Sequence, residues 1–199
     1  AAVKMQLHPA SPKQFFSLSS GFLSGDGNPD DAVSHSFTAD RDFDVGMVLF
    51  DEVQGDIDAA AYALLTDPSY SGRPPDGIDS LVSEGAVRSA TWLQPAWSFA
   101  PLSYLRLQLG GVFAWSTAPI SQPFETFRNG GVPTNYLGTP TQGYFLGSEL
   151  DWSLAIGNTA PLATAPFTPH KPIPLLLIQG GHAWLSEDMG GKRVDLLMA

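Results

Sequence analysis

Hydrophobic residues recur at every second position over long stretches of this chain. Across residues 104–116, Leu105, Leu107, Leu109, Gly111, Phe113 and Trp115 alternate with Tyr104, Arg106, Gln108, Gly110, Val112, Ala114 and Ser116. A helix would bring residues three and four apart together and set Arg106 and Gln108 among the leucines, so this spacing predicts a strand. Across residues 144–156 one face carries Tyr144, Leu146, Leu150, Trp152, Leu154 and Ile156, and the other Gly147, Glu149, Asp151, Ser153 and Ala155; Ser148 is the polar exception. A third strand is predicted over 87–99, where Val87, Leu93, Pro95, Trp97 and Phe99 oppose Arg88, Gln94, Ala96 and Ser98, and Trp92 interrupts the alternation. Shorter alternations predict strands at 3–8 and at 43–49, the latter from Phe43, Val45, Met47 and Leu49 against Asp44 and Gly46. Residues 15–25, 174–185 and 194–199 complete a set of about eight strands, near the ~9–11 residues that suit a tilted membrane strand. Ile57, Ala60, Ala61, Leu64 and Leu65 fit a short helix or a strand extension equally well.

The connections come in two lengths. Residues 9–13 and 100–103 are short, whereas 26–42, 67–85 and 118–142 are long and rich in Gly, Pro, Asp, Ser and Asn, as loop backbone in water usually is. Segment 157–172, with four prolines, falls where a short turn is expected. The pattern predicts a single all-β domain over 1–199: an antiparallel up-and-down transmembrane β-barrel, or the C-terminal part of a larger one, with short periplasmic turns and long extracellular loops.

Alternation alone also fits a soluble sandwich with its apolar face inward. The polar faces favour the barrel. They carry Gly, Ala, Ser and isolated charges, where a solvated sheet would carry many Lys, Thr and Glu. Aromatic residues gather at strand ends (Trp97, Phe99, Trp115, Tyr144, Trp184), as in the girdles at lipid interfaces. Charged residues are 15% of the chain, against the roughly 25% of soluble domains. With 20 acidic and 10 basic residues the net charge of −10 argues against a nucleic-acid partner. There is no cysteine, hence no disulfide, thiolate metal site or thiol nucleophile. The longest apolar stretch, 173–178, is far shorter than the ~20 residues of a membrane helix, and residues 1–4 lack the plan of a secretory signal.

The segments Asp42-Phe43-Asp44-Val45-Gly46-Met47-Val48-Leu49-Phe50 and Leu146-Gly147-Ser148-Glu149-Leu150-Asp151-Trp152-Ser153-Leu154 resemble the C-terminal strands of large porin-like outer-membrane β-barrel proteins of myxobacteria and related Gram-negative bacteria. The acidic loop Gly25-Asp26-Gly27-Asn28-Pro29-Asp30-Asp31 extends the likeness over most of the chain. The resemblance implies a porin-like barrel in the bacterial outer membrane, without catalytic residues. Barrels of this kind end in a strand with a terminal aromatic; this sequence stops at Met198-Ala199, which points to a region of a longer barrel cut at one or both ends.

Few residues suggest chemistry. Lys4, Arg88, Arg106, Glu149 and Asp151 are the candidate pore-lining charges, able to set ion preference. Asp26, Asn28 and Asp30 offer hard oxygens at alternate positions, as calcium loops do, but the glycine and glutamate of an EF-hand are replaced by Asp31 and Phe37, so the alternatives are a weak calcium site and a solvated acidic loop. No other cofactor is indicated. His8, His35, His170 and His182 lack zinc spacing. No G-x-S-x-G elbow occurs; a hydrolase site pairing His182 with Ser153 or Asp151 across strands is conceivable, but the chain is not expected to be an enzyme. The leading expectation is a passive channel for small hydrophilic solutes, surrounded by lipid bilayer and lipopolysaccharide. The rivals are a non-transporting structural or adhesive barrel and a soluble sandwich or calyx that binds a ligand inside.

Overall fold

A computed structural model of the chain describes residues 2–7, 13–27, 33, 35–40, 42–72, 86–140, 143–157 and 176–198. It is an antiparallel all-β fold with few helices. Seven strands form one sheet in sequence order: β1 (Ala2–Leu7), β2 (Gln14–Phe22), β3 (Ala90–Leu102), β4 (Leu105–Ser116), β5 (Phe145–Ile156), β6 (Leu176–Leu185) and β7 (Arg193–Met198). Every neighbouring pair is antiparallel. The sheet is open, with β1 and β7 at its edges. Strands β3 and β4 meet through residues 103 and 104, while β2 and β3 are separated by residues 23–89 and β4 and β5 by 117–144. The end of the sheet that carries the β3–β4 turn, and with it the β5–β6 connection 157–175, is the turn end; the other is the loop end.

The two faces have opposite chemistry. On the open face, Leu93, Leu107, Leu109, Phe113, Trp115, Leu150 and Trp184 are exposed. On the covered face, Ala96, Ser98, Val112, Ala114, Glu149, Asp151, Ser153 and Ala183 are buried. The apolar alternation in β4 and β5 therefore marks the surface, and the small and polar alternates mark the interior.

The expected strand at 43–49 does not form. Gly46 takes φ +77°, which ends any extended run, and from Leu49 the chain winds into a π-helical turn (Leu49–Gln54) that continues as α1 (Gly55–Thr66). The reason lies in the other parity of the sequence: Val48 and Phe50 are as apolar as their neighbours, and Val45, Val48, Leu49 and Val53 carry the three-and-four spacing of a helix. A segment apolar on both parities cannot lie in a sheet with one wet face. It packs instead on the covered face at the loop end. Val45, Leu49 and Phe50 join Trp92, Val112, Ala114 and Leu146 in one cluster; Val48 and Val53 join Ala183 in another, flanked by Val194 and Leu196. Residues 53–65 resolve as helix rather than strand extension. Two short helices, α2 (Pro68–Ser71) and α3 (Pro123–Arg128), and a 3-10 turn at Glu187–Met189 also lie at the loop end.

Two further expectations are corrected. Trp92 is no interruption: it lies on the covered face, 1% exposed, over Gly21, where a Cβ would run into its ring. Leu146 belongs to the covered face as well. The β4–β5 register skips it, pairing Ala114 with Gly147 and Trp115 with Phe145, so a bulge turns Leu146 inward and brings Phe145 outward beside Trp115, ring centroids 5.6 Å apart.

Candidate functional site

The covered face divides into two levels. At the loop end the Glu149 carboxylate accepts the backbone N–H groups of Met47, Val48 (2.9 Å) and Leu49 (2.7 Å). These are donors that the start of a helix leaves without intrahelical partners, and a buried carboxylate satisfies them with charge-assisted bonds. Gly46 is required here, since a Cβ would fall on the Glu149 oxygens. A Cβ on Gly181 would likewise strike Val48 and Asp151. The wall strands β5 and β6 are shaped to receive residues 46–49. Asp151, two residues along from Glu149 on the same face, is 0% exposed.

Below this contact the face is polar. Gln108 donates to the Ser98 hydroxyl at 3.1 Å and accepts from Ser153 at 3.0 Å, so one belt crosses β3, β4 and β5. Arg106 lies one step nearer the turn end, opposite Ala155.

The predicted lining residues therefore separate. Arg106, Glu149 and Asp151 share the covered face, with Glu149 committed to the inserted segment. Lys4 stands opposite Ser19 in the register, but its side chain lies outside the described part of the structure. Arg88 is not on a strand: β3 begins at Ala90, and Arg88 forms an isolated bridge with Thr38 in the loop end. Of the calcium candidates, Asp26 accepts the His35 N–H at 3.2 Å, while Asn28 and Asp30 lie outside the described residues. No group of three metal-binding side chains occurs among the described residues.

His182 cannot meet Ser153 or Asp151, because it lies on the open face and they lie on the covered one. Its Nδ1 is 2.7 Å from the Asp195 carboxylate on β7, which also accepts from Arg193 Nε at 2.8 Å. The Arg193 guanidinium sits over the Trp184 ring, 5.7 Å from its centroid. The pairing of β6 with β7 produces this cluster, and no local spacing announces it.

The loops of the covered end are tied together. Asn135 accepts the N–H groups of Leu137 and Thr139 and donates to Asp188 at 2.9 Å. The Tyr136 hydroxyl faces Asp58 at 3.4 Å. Burial, reinforced by the negative charge of Asp58, pushes the Tyr136 phenol well above its ordinary 10.0, against a smaller opposing pull from Arg88. The fold thus favours the neutral phenol, which the unfolded chain ionises near 10. Stability should be unaffected by this group below pH 10 and should fall as pH rises from there towards the folded value. Denaturant midpoints at pH 9 and pH 11 test this: Tyr136→Phe should reduce the alkaline loss, and an equal loss in both proteins would discount Tyr136 as its source.

The chain matches no family model, no curated protein and no solved structure.

Proposed function

We propose that this chain forms the wall of a porin-like bacterial outer-membrane β-barrel, with an aqueous interior for small hydrophilic solutes and a loop end closed by residues 43–66. The observation that carries this reading is the inversion of the faces: leucine and aromatic side chains outward along β3 to β6, serine, glutamine and carboxylates inward. In water such a surface would be penalised at about 25 cal/mol for each Å² of apolar area left exposed; in lipid the penalty vanishes.

The dimensions agree. Twelve residues of β4 rise about 40 Å, which at a tilt of roughly 40° spans a hydrocarbon core of about 30 Å. Aromatic contacts mark both levels of the open face: Trp115 with Phe145 at the loop end, and Trp97 stacked on Phe16 and Phe99 towards the turn end. On this reading the loop end faces outward, among lipopolysaccharide, and the turn end faces the periplasm. The packed contact around Val48 and Glu149 favours a second reading, a barrel that transports nothing.

Extraction and conductance distinguish these. The native protein is expected to require detergent, and in planar bilayers the wild type should carry little current, whereas Glu149→Ala, which loosens the inserted segment, should conduct in discrete steps. Silence from both proteins would favour the non-transporting barrel. A protein that stays monodisperse without detergent at high concentration would overturn the membrane reading and leave the soluble calyx.

A further inference from the structure

We infer that Arg106 is the centre of an anion-binding site on the polar half of the covered face, taking a small oxyanion such as phosphate or a carboxylate. The inference rests on the channel reading for the solute's route, but its evidence is local. The Nε and Nη2 atoms of Arg106 are shielded from water and meet no acceptor among the described residues. A guanidinium stays charged at any physiological pH, and leaving its donors buried and unpaired is costly.

The described neighbouring side chains do not relieve that cost. Ser98, Gln108 and Ser153 bond to one another in the belt above Arg106. Asp151 lies opposite Gly110, four residues further along β4, or about 13 Å by strand rise, with that belt between. Glu149 lies further still and is engaged by Met47, Val48 and Leu49. Opposite Arg106 itself stands Ala155, which offers no side-chain acceptor. Among the described residues nothing completes the site, and a small anion would. The planar fork of donors fits two oxygens of one oxyanion side by side, which a halide cannot match. Arg106 lies between the turn end of the sheet and the belt.

The test is calorimetric titration of the full chain in detergent micelles with sodium phosphate, using sodium chloride at equal ionic strength as control. The wild type should bind phosphate and not chloride. Arg106→Lys keeps the charge without the fork and should bind about tenfold more weakly, and Arg106→Gln should give no binding heat. Because it removes an unpaired charge, Arg106→Gln should melt no lower than the wild type, and phosphate should raise the melting temperature of the wild type alone. Equal heats from wild type and Arg106→Gln would overturn the site. So would a wild type indifferent to phosphate together with a destabilised Arg106→Gln, since that arginine would be structural. Neither readout needs current: phosphate binding through Arg106 in a chain that never conducts would uphold the site while removing the channel, and conduction without phosphate binding would do the reverse.

Discussion

Leu109→Arg and Leu150→Arg should each lower the folding free energy in lipid by about 2–4 kcal/mol, whereas Trp115→Arg, at the loop-end edge of the same face, should lose no more than about 1 kcal/mol to the new charge. Leu109 and Leu150 are 45% and 43% exposed and lie near the middle of their strands, so nothing in the protein shields an arginine there from its surroundings. In hydrocarbon that charge must be desolvated or drag water and headgroups inward, and the cost depends on depth. In water an exposed leucine replaced by arginine changes stability by no more than about 0.5 kcal/mol, with no dependence on position along the strand. Unfolding in liposomes, read by tryptophan fluorescence, separates the cases. A flat profile along β4 and β5 would mean that the open face does not meet lipid.

The open face is the part of the fold most legible in the sequence. In β4 Leu105, Leu107, Leu109, Phe113 and Trp115 share one parity and mostly small or polar residues the other, so the strand and the division of its residues between two faces follow from spacing alone. Where both parities are apolar, spacing no longer decides between strand and helix. Residues 47–50 are apolar on both parities, and the alternation of Phe43, Val45, Met47 and Leu49 conceals the helical set that includes Val48 and Val53. Leu146 misled for a different reason: a bulge is set by how two strands fit, which neither strand shows by itself. Trp92 looked like an error in a strand pattern because its purpose, filling the space over Gly21 beside Phe43, depends on a segment 49 residues away. The same limit governs the site. Arg106, Glu149 and Asp151 could be placed on the polar face from alternation, but the partner of Glu149 is backbone, and backbone donors leave no mark in a sequence. Arg88 was misplaced because alternation ran on past the end of the ladder.

Glu149→Ala should be the most damaging substitution on the covered face, costing about 3–5 kcal/mol, because it removes a buried acceptor from three backbone N–H groups at once. Water could replace the carboxylate only by entering a space bounded by Val48, Leu49 and Gly181, and the packing there leaves Val48 0% exposed. The loss should be local before it is global: the amides of Met47, Val48 and Leu49 should lose hydrogen-exchange protection, while those of β4 and β5 keep it. Glu149→Gln retains an oxygen of the same reach but gives up the charge, and its amide N–H₂ would face a donor, so it should fall between wild type and alanine. Leu146→Ala supplies the control, since it takes apolar contact from the same layer without touching the donors and should weaken packing without exposing those three amides selectively. If Glu149→Ala leaves their exchange unchanged, the inserted segment is held by its hydrophobic contacts alone, and removing this carboxylate could not then open the loop end.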